Sequence, residues 1–185
     1  MSKIFGDRFY FARHGETENN ALGLVTGTRD VPLNDVGKKQ ATRARHCVST
    51  LGIKSCVCSP LKRAVDTAEL MLQTTEVTPI PIDGIKERDW GKLECIDKNQ
   101  LDNFAFANMG VEIWDDFVKR NIEALVSLSI ENPFFIVAHS GTFRALCDYL
   151  RINIEKKPVL NAWPYIFFKT NSVWNVTVVG SAKHS

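Results

Sequence analysis

Phe134-Phe135-Ile136-Val137-Ala138 is an unbroken apolar run that ends on His139-Ser140-Gly141. A strand with one wet face alternates apolar and polar residues. A run without alternation predicts a central strand covered on both faces, as in a parallel sheet flanked by helices. Working outward, Arg8 to Ala12 reads as a first strand ending at Arg13-His14-Gly15, Ser55 to Cys58 as a second and Pro79 to Ile82 as a third. Phe167 to Val179, rich in Val, Phe and Trp, holds one or two final strands.

Helical patterns fall between these strands. Asn34 to Leu51 reads as a helix after a loop containing Pro32, with Gly52 as its stop. Ser59-Pro60 reads as the opening of another, because serine caps free N–H groups and proline suits the first helical position. Leu61, Ala64, Val65, Ala68 and Leu72 then recur at helical spacing and predict one buried face. Trp114, Phe117, Val118, Ile122 and Leu125 mark an amphipathic helix closed by Asn132-Pro133, with Lys119 and Arg120 expected in solvent on its polar face. Gly141 to Leu150 reads as the last helix. The alternation predicts an α/β fold: a three-layer α/β/α sandwich with a largely parallel central sheet, formed by residues 1–185 as a single domain.

Composition narrows the function classes. The chain has 185 residues, 44% of them hydrophobic and 24% charged, as in an ordinary globular protein with room for a full core. A net charge of +2 announces no nucleic-acid partner, so any anion preference must come from a local cluster of cations. No run approaches the roughly 20 apolar residues needed to span a bilayer, so no membrane partner is expected. The start, MSKIFGDRFYFARHG, is broken by Asp7, Arg8 and Arg13 and does not read as a signal peptide. Five cysteines, an odd count, then fit free thiols and a cytoplasmic location. Cys56-Val57-Cys58 suits a strand better than a zinc site, and neither a metal nor another cofactor is expected. Oligomeric state is not legible.

In open sheets of this kind ligands sit beyond the carboxyl ends of the strands. Three such ends carry charged or histidine residues: Arg13-His14, the turn from Ser59 to Arg63, and His139-Ser140. Arg13-His14-Gly15-Glu16-Thr17 suits in-line attack on phosphorus. The imidazole supplies a nucleophilic nitrogen and the arginine a planar fork of donors. Taken alone the tripeptide equally fits a loop histidine bonded to backbone.

It does not stand alone. The chain resembles the histidine phosphatase superfamily, the phosphoglycerate mutase-like family, in ordered motifs from about Phe9 to Leu146. They are Phe11-Ala12-Arg13-His14-Gly15-Glu16-Thr17 with Asn20, then Thr26-Gly27 and Asp30-Val31-Pro32-Leu33, then Gly37 with Gln40-Ala41. Ser59-Pro60-Leu61-Lys62-Arg63-Ala64 with Thr67-Ala68 follows, then Glu87 with Trp90-Gly91, and last Val137-Ala138-His139-Ser140-Gly141. The resemblance implies a phosphatase acting on a small phosphate ester through a phosphohistidine. It implies His14 as the phosphorylated residue, Arg13, Arg63 and His139 as the pocket around it, and Glu87 as proton donor to the leaving group. Asn20, Thr26, Gly27 and Ser140 become substrate contacts. Asp89 and Glu94 are further acids near the Glu87 position.

Leu93, Cys95 and Ser140 depart from the family's common residues at the pocket mouth, which bears on substrate identity. Arg88, Trp90, Lys92 and Arg144 are candidates for lining the entrance. A phosphoglycerate mutase-type phosphotransferase shares the first half-reaction. Only 52 positions separate Glu87 from His139, far fewer than in the mutase branch, which favours hydrolysis. A non-catalytic phosphate-binding module is a third reading.

Overall fold

The computed structural model describes residues 5–154 and 158–180. Six strands form one sheet: β1 (Arg8–Arg13), β2 (Ser55–Cys58), β3 (Pro79–Pro81), β4 (Phe134–Ala138), β5 (Pro164–Thr170) and β6 (Val173–Val178). Their order is β3-β2-β4-β1-β5-β6. The first four run parallel, whereas β5 is antiparallel to β1 and β6 to β5. The helices are α1 (Glu18–Ala21), α2 (Asp35–Ser49), α3 (Lys62–Leu72), α4 (Trp114–Val126) and α5 (Ser140–Tyr149). Short 3-10 turns fill much of the chain between β3 and α4.

The unbroken run does form a central strand, and every residue of β4 is buried. Alternate side chains leave it for opposite faces. Phe134, Ile136 and Ala138 join Phe9, Phe11 and Val57 in one core with Ile122 and Leu125 of α4 and Phe143 and Leu146 of α5. Phe135 and Val137 join Tyr10, Ala12, Cys56 and Cys58 in a second core with Ala41, Ala44 and Val48 of α2 and Ala68 and Met71 of α3. Both faces are thus covered, giving three layers. The first core is aromatic-rich: the Phe9 ring stacks on Phe167 at 4.7 Å and on Phe134 at 5.4 Å.

Register positions the site. Arg13 pairs with Ala138, and Val137 with both Ala12 and Cys58, so β1, β2 and β4 end level. The ladder continues one step beyond the strands, with His14 N–H donating to Ala138 O and Ser59 N–H to Val137 O. His14, Ser59 and His139 therefore leave the sheet side by side.

Several boundaries differ from expectation. Ser59-Pro60 does not open α3, which begins at Lys62 with Leu61 as its N-cap. The Lys62 N–H is taken instead by the Asp30 carboxylate at 2.6 Å. The Ser59 hydroxyl accepts from Leu61 N–H at 3.3 Å and bonds His139, so it works ahead of the helix. Helix α4 ends at Val126, with Ser127 as its C-cap, rather than running to Asn132-Pro133. The Pro133 carbonyl instead accepts from Lys54 N–H, extending the sheet. The final segment holds two strands and starts earlier, at Pro164. No helix among the described residues is long and apolar enough to cross a membrane.

Candidate active site

The chain after β1 turns sharply against α2. Gly15 allows this: a Cβ there would lie 2.6 Å from the carbonyl oxygen of Gly37. The turn brings Gly15 O to 2.7 Å from His14 Nδ1. A carbonyl only accepts, so Nδ1 carries the proton and Nε2 keeps its lone pair. The Nε–H of Arg63 reaches that lone pair at 3.2 Å. Asn161 donates to His14 O at 2.8 Å, and Gly15 N–H donates to Thr67 Oγ1, which in turn donates to Arg63 O. The imidazole is buried, and its pKa is held well below the ordinary value, first by desolvation and then by Arg63 and Arg13. It is a neutral, oriented base among cations.

Arg63, in the first turn of α3, is 1% exposed. It donates to Arg29 O at 2.7 Å and Gly27 O at 2.8 Å. Burial lowers its pKa to about 10, which leaves it charged at neutral pH. Arg13 donates to Val159 O at 3.0 Å. His139 is fully buried, 5.2 Å from His14 between ring centroids, with Nε2 against Ser59 Oγ at 2.7 Å. Desolvation and Arg63 push its pKa well down, so it too is neutral. Arg13 Nε, Thr26 Oγ1 and His139 Nδ1 are buried with no hydrogen-bond partner among the described residues. Buried polar atoms of this kind cost free energy unless something satisfies them, and phosphoryl oxygens are suitable acceptors.

A cavity of about 140 Å³ opens here, lined by Arg13, His14, Asn20, Val25, Thr26, Gly27, Arg63, Glu87, Trp90, Lys98, Leu101 and Ser140. All nine residues expected to form the site meet at it: eight line it, and His139 adjoins His14 beneath the surface. Asn20 is fixed by a capping box with Thr17 at the start of α1, a helix too short to show any periodicity. Glu87 Oε1 accepts from Arg88 N–H at 2.9 Å, and Oε2 from Gly141 N–H at 3.2 Å and the Ser140 hydroxyl at 3.5 Å. The neighbouring acids are occupied elsewhere. Glu94 accepts from Thr28 and pairs with Arg29, and Asp89 accepts from Gly91 N–H.

Other expectations need correction. Of the four proposed entrance residues, only Trp90 lines the cavity. Arg88 stacks on the Trp90 ring instead and donates to Glu112 O. Val25, Lys98 and Leu101 were not anticipated; Lys98 and Leu101 sit in a 3-10 stretch whose pattern carries no burial signal. Arg120 does not lie in solvent: it is half-buried and bonds Glu112 and the backbone around Glu87. Among the described residues no three or more His, Cys, Asp or Glu side chains gather to hold a metal ion.

Comparison with known proteins bears on this site. The sequence model of the histidine phosphatase superfamily (branch 1) matches residues 9–162. The chain is 30% identical over 196 residues to a broad-specificity phosphatase of Saccharomyces cerevisiae, covering 96% of this chain and 81% of that one. It is 41% identical over 158 residues to a 2,3-bisphosphoglycerate-dependent phosphoglycerate mutase of Rhizobium etli, covering 72% and 75%. It is 32% identical over 180 residues to an agropine synthesis reductase of Rhizobium rhizogenes, of whose length it spans 41% while 92% of this chain is covered. The solved structure of Bacillus stearothermophilus YhfR superposes with a TM-score of 0.79 at 23% identity, covering 96% of this chain and 98% of that one.

Proposed function

The chain belongs to the histidine phosphatase superfamily, and from that premise we propose that it hydrolyses a small phosphate monoester through a phosphohistidine on His14. The observation that carries the reading is the bond from His14 Nδ1 to Gly15 O, which leaves Nε2 as the nucleophilic nitrogen inside a pocket of cations; the Arg63 Nε–H that rests on Nε2 turns to a phosphoryl oxygen when the ester binds. The Nε2 lone pair attacks phosphorus in line and the bond to the ester oxygen breaks. A phosphoryl group in flight spreads negative charge over three oxygens, so catalysis is mainly positioning and charge stabilisation. Arg13, Arg63 and His139 supply the donors, with Asn20, Thr26, Gly27 and Ser140 around them. Glu87 delivers a proton to the departing alkoxide. The resulting carboxylate then takes a proton from the water that attacks phosphohistidine, releasing phosphate and restoring His14.

The cavity is well below the ~300–1,000 Å³ of sites for drug-sized ligands, which supports a phosphate carried on a small alcohol. The arginines supply the positive charge, so the reaction is proposed to need no metal. The five cysteines, all unpaired, support a reducing, cytoplasmic setting. The Rhizobium etli relative favours a second reading, a mutase that returns the phosphoryl group to another oxygen of the same molecule. The short interval from Glu87 to His139 leaves little chain to retain a reorienting product, which supports hydrolysis. The deciding experiment supplies 3-phosphoglycerate and a panel of phosphate esters and measures free phosphate and isomer together. Phosphate from several esters without isomer is expected; isomer with negligible phosphate would promote the mutase.

A further inference from the structure

Glu87 lies where the backbone has neither helix nor strand, just after a 3-10 turn at Asp83–Ile85. Its carboxylate accepts from Arg88 N–H at 2.9 Å, Gly141 N–H at 3.2 Å and the Ser140 hydroxyl at 3.5 Å, bonds that hold the side chain but not the backbone behind it. Something else must fix the backbone that carries it. Arg120 of α4 is placed to do so. Its Nη1 donates to Gly84 O at 2.8 Å and Lys86 O at 3.0 Å, and its Nη2 to Glu87 O at 3.0 Å. One guanidinium thus satisfies three carbonyls of the segment bearing the acid. The guanidinium is itself held by the Glu112 carboxylate, Nε to Oε1 at 2.6 Å and Nη2 to Oε2 at 2.9 Å, a bidentate pair. Glu112 also accepts from Asp89 N–H, closing the far side of the same segment. The segment sits directly on the helix, since a Cβ at Gly84 would collide with Ala124.

We propose that Arg120, with Glu112 orienting it, is the positioning residue for the proton donor. It rests on the reading of Glu87 as general acid. Arg120 neither lines the cavity nor bonds His14, and it acts on the phosphoryl pocket only through its charge, the last of the causes that lower the His139 pKa. Its contacts are with the segment that carries the Glu87 carboxyl. Misplacing a reacting group by about 1 Å can cost on the order of 10²-fold in rate. The cost should fall chiefly on proton delivery, because Arg120 makes no bond within the phosphoryl pocket.

The test compares Arg120→Met and Arg120→Lys with the parent protein on an alkyl phosphate and on 4-nitrophenyl phosphate, with Glu87→Gln alongside. A lysine keeps the charge but cannot span three carbonyls. For both Arg120 variants kcat on the alkyl ester should drop by about 10- to 100-fold. The aryl ester, whose phenolate leaves without a proton, should lose no more than about threefold. KM and inhibition by vanadate should hold for both. If Arg120→Met does not fold, Glu112→Gln should give the same selective loss at smaller size. Equal losses on the two esters, a loss confined to KM, or no loss would overturn the proposal. A Glu87→Gln variant that fails to discriminate between the esters overturns the general-acid reading itself, and the positioning role with it.

Discussion

The Nε–H of Arg63 donates to Nε2 of His14 across 3.2 Å. The acceptor is the imidazole lone pair, so this bond and the one from Nδ1 to Gly15 O fix the tautomer and the ring orientation together. A guanidinium at that distance also resists a second positive charge on the ring.

The first consequence is a pH dependence of stability. Unfolded, His14 and His139 titrate near 6.5; folded, burial and Arg63 hold both pKa values well below that. Below about 6.5 the unfolded chain therefore binds more protons than the folded one. The stabilisation is fully present above that pH and is lost as pH falls toward the folded values. Thermal melts across pH 5 to 8 should show Tm falling on the acid side, with a shallower fall in His14→Asn. A Tm that rises on acidification would contradict the assignment.

Gly15→Ala should disturb both fold and activity. The new Cβ would meet Gly37 backbone atoms at 2.6 to 3.0 Å, which no side-chain rotation relieves. A loss of about 1–3 kcal/mol in denaturant melts is expected, as for other forced overpacking. Turnover should fall by on the order of 10²-fold or more, because the carbonyl that moves is the acceptor for His14 Nδ1. Unchanged kinetics would show that the ring does not depend on that carbonyl.

For Glu87→Gln the leaving group decides the cost. An alkyl phosphate should slow by roughly 10²–10⁴-fold, the usual worth of general acid catalysis, and an aryl phosphate much less. Equal losses would remove Glu87 from the role, and Asp89 or Glu94 would then be tested despite their bonds elsewhere.

Turnover should survive a strong chelator and be blocked by vanadate, which can take up the five-coordinate geometry of phosphorus in flight. Activity that disappears with chelator and returns with added magnesium would contradict a site built on arginines.

The layers and the site's location were legible because β4 is apolar without alternation and because three strand ends carry chemistry. Register then does what residue types cannot: the pairing of Arg13 with Ala138 brings His14 and His139 together across 125 residues of sequence. Residues whose roles depend on distant, irregular backbone were not legible. Arg120 looks like any solvated arginine until the Gly84 to Glu87 carbonyls are seen beside it. Lys98 and Leu101 reach the cavity from a 3-10 stretch without periodicity. Ser59 reads in the sequence as a helix cap, whereas its hydroxyl serves His139.

The central claim is that phosphorus is transferred to His14. It is tested most directly by rapid quench with a ³²P-labelled ester, followed by peptide mapping of the labelled protein. The account predicts a phosphoramidate on the peptide containing His14, stable in alkali and labile in acid, and absent from His14→Ala. Label that persists in His14→Ala, or that maps to a serine or cysteine, would contradict it.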